Sequence, residues 1–210
     1  MTDHPTTAAS DLSFLRSLAE AGKDAPLMAG PYLVAGGGWF AAASLTQWPL
    51  LRDAIGLTAP QALLAFAAAG IGFALNLTIL LLRDRKKAAN SSNRANNAAW
   101  SAIGFAIFAF WIATAIMAYR REDPFLMNTI SLHVLCLYSV GWAVAAAMTR
   151  QGWMQFNAIM ALITAPLLAA FIGTGDEYLI YALALVLTAV VPGFRLMRAA
   201  REKPAAKQGG

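Results

Sequence analysis

The sequence predicts an all-α integral membrane protein: a six-transmembrane-helix bundle preceded by a short amphipathic interfacial helix. Three observations carry this. Six long apolar segments alternate with short polar loops. Of 210 residues, 59% are hydrophobic and only 13% charged, whereas a soluble domain is about a quarter charged. Lys and Arg are concentrated on every second loop. A spanning helix takes roughly 20 apolar residues. Six of them use most of the chain and leave no room for a soluble domain of ordinary size.

The elements follow in order. Residues 1–9 are polar or small and read as a disordered tail. Residues 10–28 read as an amphipathic interfacial helix and linker. At 100° per residue, Leu12, Phe14, Leu15 and Leu18 share one half of a helix, and Ser13, Arg16, Ser17 and Glu20 share the other. Ser10 or Asp11 can cap its start and Gly22 its end. Such a helix is too short to span and lies in the interface. No basic stretch runs directly into an apolar core over 1–28, so a cleavable signal is not expected.

The transmembrane domain covers 29–196, with spans expected at 30–48, 60–82, 98–119, 127–148, 155–173 and 178–195. Trp48 falls where an interfacial anchor belongs. Pro60 opens the second span, where its missing N–H costs nothing. Residues 197–210 read as a basic disordered tail.

The loops set the orientation. Thirteen Lys and Arg lie on one side: in the N-terminal tail, 83–97, 149–154 and the C-terminal tail. Three lie on the other: Arg52, Arg120 and Arg121. By the positive-inside rule both termini are cytoplasmic, and the expected location is the inner membrane. The net charge of +5 is then a topology signal that also attracts anionic lipid headgroups to the basic loop and tail. No basic stripe with interleaved aromatics points to nucleic acid.

Internal similarity is ambiguous. Gly38-Trp39 through Trp48 resembles Gly141-Trp142 through Trp153, spaced as a 3+3 inverted repeat would be. The second and third spans also match, at Ile71-Gly72-Phe73-Ala74 and Ile103-Gly104-Phe105-Ala106. Two conflicting offsets point to shared composition.

Residues able to carry chemistry are few. No Asp, Glu, Lys or Arg falls well inside a span, which argues against a carboxylate-driven pump or an intramembrane aspartyl protease. The candidate polar residues are His133, Asn76, Asn157 and Tyr138. His133 is the one titratable group expected within a span, and would sit above Thr129. Asn76 and Asn157 are costly in hydrocarbon, should face other helices, and could pair. Cys136 reads as a small apolar residue at a helix interface. Gly38 with Ala42, Ala68 with Gly72, and Ala143 with Ala147 are small-xxx-small pairs suited to close helix packing. Asp176 and Glu177 read as a solvated acidic turn. No metal site, cofactor or catalytic group is expected. The chain reads as non-enzymatic: a transporter or channel-like protein for a small solute, or an accessory subunit packed against a membrane complex. A homo-oligomer or a membrane-protein partner fits either reading.

Overall fold

The computed structural model describes residues 29–51, 59–84 and 91–202. The expected interfacial helix over 10–22 lies outside these residues. The described residues are helical throughout apart from short turns, with no strand among them. Helix α1 is Gly30–Leu51, α2 Ala59–Asp84 and α3 Ser91–Arg121. A 3-10 turn, Pro124–Thr129, leads into α4, Ile130–Thr149, followed by α5, Gly152–Ala169. The last helix, α6, runs Asp176–Glu202. It is α-helical over Asp176–Leu185, takes a π turn at Val186–Val190, and resumes over Val191–Glu202.

Among the described residues, five helical segments are long and apolar enough to cross a membrane. These are α2, α3, α4 with its 3-10 turn, α5 and α6. The chain is therefore an all-α membrane bundle. Helix α1 is 22 residues long but is not one of the five: Gly36–Gly38, Thr46, Gln47 and Trp48 dilute its apolar character. Helix α3 begins at Ser91, two turns before the expected span. The basic, Asn-rich stretch before Trp100 is therefore partly helix and not all loop.

The breaks have local causes. Glu122 and Arg150 take positive φ of 55° and 56° and end α3 and α4. The Arg150 N–H closes α4 on the Ala146 carbonyl at 2.7 Å. Asp123 accepts from the Phe125 N–H at 3.1 Å, capping the 3-10 turn that Pro124 opens. Between α5 and α6, Gly173 and Gly175 both take positive φ, where a β-carbon would be strained. That turn folds onto Glu177, whose carboxylate accepts from the Gly173 N–H.

Packing gives two three-helix groups. In the first, α1 packs against both α2 and α6. At one end of the α1–α6 crossing a β-carbon on Gly193 would lie 2.7 Å from Val34 Cγ2 and 2.9 Å from the Gly30 carbonyl. Further along, one on Gly37 would meet Ala189 Cβ at 2.7 Å. The other end is tied by Trp48, whose indole N–H donates to Asp176 Oδ1 at 3.0 Å. Gly72 of α2 receives the Trp39 ring. In the second group α4 packs on α3 and α5, and Gly141 makes room for Trp100 and Ile103.

The small residues that set these distances are mostly not the expected ones. Gly38 has no atom within 4 Å of where its β-carbon would be, and Ala42, Ala68 and Ala147 are exposed. Of the three expected pairs, Gly72 receives the Trp39 ring and Ala143 packs against the buried core. Spacing alone does not say which face of a helix meets a neighbour. Cys136 is likewise exposed on α4 and not at a helix interface. The outward faces of α2 and α3 carry Leu64, Ile71, Leu75, Phe105, Phe108 and Trp111. Water would not tolerate so continuous an apolar surface; lipid solvates it.

Candidate functional site

The centre of the bundle is filled by aromatic rings from three helices. Trp142 of α4 is fully buried. Trp100 of α3 meets it edge-on at 5.6 Å between centroids, and meets Tyr138 at the same distance. Trp153 of α5 lies 5.6 Å from Trp142 on another side. The Arg195 guanidinium of α6 covers the Trp153 ring at 4.4 Å, a cation–π contact. Edge-to-face pairs of this kind add to ordinary burial.

Trp142 also joins the two groups of helices. Its indole N–H donates to the Thr188 carbonyl at 2.7 Å, in a buried bond. That carbonyl lies in the π turn, and the residue four positions on is Pro192. Proline has no N–H, so the usual helical donor to Thr188 is missing. The π turn absorbs the clash of the ring, and Trp142 supplies the donor. The Thr188 hydroxyl, also buried, donates back to the Ala184 carbonyl at 2.7 Å.

The expected polar residues fall in different places. His133 Nδ1 lies 2.8 Å from the Thr129 carbonyl, one turn back on its own helix. A carbonyl can only accept, so this geometry puts the proton on Nδ1. The ring stacks on Phe110 of α3 at 4.6 Å. Asn76 donates from Nδ2 to the Gly72 carbonyl at 3.1 Å, also within its own helix. It lines a cleft between α1 and α2. Asn157 is half-buried on α5. Helix α2 packs on α1, and α5 on α4 and α6, and no hydrogen bond joins the two Asn side chains among the described residues. Tyr138 belongs to the aromatic centre. Of the four, Asn76 alone lines the cleft between α1 and α2.

Two acidic residues expected to be solvated are engaged instead. Glu177 is buried, and the backbone N–H groups of Gly173, Thr174 and Gly175 converge on its carboxylate. Asp176 holds Trp48, as described. The sequence hint was the pair of glycines flanking Thr174, which lets successive N–H groups point one way.

One residue escaped sequence reasoning altogether. Asn96 is fully buried, and neither its Oδ1 nor its Nδ2 has a hydrogen-bond partner. It sits one turn before Trp100, on the face that α3 turns to the bundle. Its neighbours Arg94, Asn93 and Asn97 make the stretch read as a surface loop.

No family model, curated protein or solved structure matches this chain. The helices and their interior are thus the whole basis for a functional reading. Among the described residues no three His, Cys, Asp or Glu side chains come together as a metal site.

Proposed function

We propose that this protein is an accessory subunit that packs against a membrane complex, and not a conduit for a solute. The filled centre carries this reading. Trp142, Leu135, Met154 and Leu168 are fully buried, and Trp100, Tyr138 and Tyr181 close the space around them. A transport path needs polar groups converging on a shared cavity. Here His133 and Asn76 bond to their own helices on separate flanks.

The surface supports the same reading. Helices α2 and α3 each pack mainly on one neighbour and leave broad apolar faces. On α3, Gly104 has open space around it, next to Phe105 at 76% exposure and the stacked pair Phe108 and Trp111. A small residue beside large rings admits a helix from another protein at close range. The thirteen-to-three charge distribution supports an inner-membrane protein with cytoplasmic termini.

The test is native electrophoresis of mildly solubilised source membranes. The wild type should migrate in an assembly larger than one chain. Gly104 is exposed and a β-carbon there meets no atom within 4 Å, so Gly104→Leu should release the protein as a folded single chain. A wild type that is already a single chain would remove the accessory reading. Activity lost on His133→Phe with assembly intact would restore the transport reading.

A further inference from the structure

A cleft of about 410 Å³ opens between α1, α2 and the C-terminal part of α6, a volume within the range of small-molecule sites. Its walls are single helix faces. Pro31, Val34, Ala35, Gly38 and Trp39 line it from α1 at helical spacing, and Asn76, Leu80 and Arg83 from α2. Met197 closes it from α6.

The chemistry along the cleft is graded. Gly38, Ala35, Val34 and Leu80 give an apolar trough. Asn76 places an amide beyond Leu80, level with Gly38, at the end of the trough away from Arg83. One Nδ2 hydrogen goes to Gly72, which leaves a second donor and the carbonyl oxygen. Arg83 stands seven residues further along α2, about 10 Å at the helical rise. Its Nε is held by Asp84 at 3.2 Å, and its side chain is 53% exposed. The terminal Nη donors are not used in that contact. Asp84 also accepts from Tyr32 at 3.1 Å, which draws the carboxylate toward Tyr32; Asp84 is not among the lining residues. An apolar trough that ends on a guanidinium follows the order of acyl chain and phosphate in a phospholipid. Arg83 is at the basic end of the bundle, the end that carries Arg195, Arg198 and Arg201.

We propose that this cleft seats one anionic phospholipid, with an acyl chain along Gly38 and Leu80 and its phosphate on Arg83. Guanidinium groups bind phosphate oxygens in pairs, and the trough takes one chain out of the bulk bilayer. The site does not depend on the accessory reading, since the cleft and Gly104 lie on different helices.

The experiment is native mass spectrometry of the purified full chain, loaded with phosphatidylglycerol or phosphatidylcholine in equal amounts. The wild type should retain one phosphatidylglycerol in preference to phosphatidylcholine. Arg83→Gln should cut that preference roughly fivefold, the factor one basic residue contributes near anionic lipid. A β-carbon at Gly38 meets no atom within 4 Å, and Gly38→Leu, which fills the trough, should block retention of both lipids. Ala35→Leu is the second filling variant, and near-ultraviolet circular dichroism checks that each is folded. Arg120→Gln, at the opposite end, should change nothing. Inorganic phosphate at millimolar concentration should not displace the lipid; displacement would mean a simple anion site and overturn the proposal. Unchanged retention in folded Gly38→Leu and Ala35→Leu would overturn it too. So would loss of a dimer, and not of lipid, in those variants.

Discussion

At the scale of single residues, the bond from Trp142 to Thr188 decides the most. Trp142→Phe keeps one aromatic ring, removes the donor to the Thr188 carbonyl and leaves a small void where the indole was. The expected cost is about 1–3 kcal/mol, read as a lower melting temperature in detergent. In a Pro192→Ala background a backbone N–H is available again, and the same change should cost less. Equal losses in both backgrounds would mean the two residues are not coupled. Asn96 gives the opposite prediction. Its amide is buried with nothing to bond to, so Asn96→Leu should raise stability by about 1–2 kcal/mol. A clear loss of stability would show that the amide is satisfied in the native protein. His133→Phe preserves the stacking on Phe110 and removes only a bond within one helix. It should cost no more than about 0.6 kcal/mol, the average for polar contacts in membrane bundles.

At the scale of helices, glycines set the distances and their surroundings sort them. Gly193→Ala would press on Val34 and on the Gly30 carbonyl, forcing α1 and α6 apart. The expected loss is about 1–3 kcal/mol. Gly38→Ala and Gly104→Ala meet open space and should be neutral, or gain up to about 1 kcal/mol from better helix propensity. A melting series on the three variants separates packing glycines from open ones. The helices themselves were legible in the sequence, because a long run of apolar residues has few other stable forms. Their ends were less so. Helix α3 starts at Ser91 because Ser, Asn and Arg are compatible with a helix that leaves the membrane, and polarity marks the membrane edge, not the helix end. The contact faces were not legible. Gly38-Trp39 and Gly141-Trp142 look alike in sequence, yet Trp39 is 40% exposed and Trp142 fully buried. Which neighbour each face meets depends on helices far away in the chain. The polar residues were found as types, but their scatter over separate flanks is a tertiary fact. Glu177 read as solvated because its burial rests on the positive φ of two glycines.

At the scale of the whole molecule, the charge pattern makes a prediction about sidedness. A cysteine placed at position 90 should react only with reagents that reach the cytoplasm, and one at 175 only with reagents outside. The reverse labelling would invert the bundle. The crossing of α1 and α6 has a further consequence, one of time. Helix α1 is the first of these helices to leave the ribosome, and its partner α6 is the last. At 5–20 residues per second, Gly193 follows Gly30 by roughly ten to thirty seconds. Through that interval α1 and α2 can exist only as a hairpin, its glycine face turned to lipid or to an insertion factor. Trp142 must wait as well, since the carbonyl it serves has not yet been made. The nascent bundle therefore stays open along one seam until α6 is made, and α6 closes it.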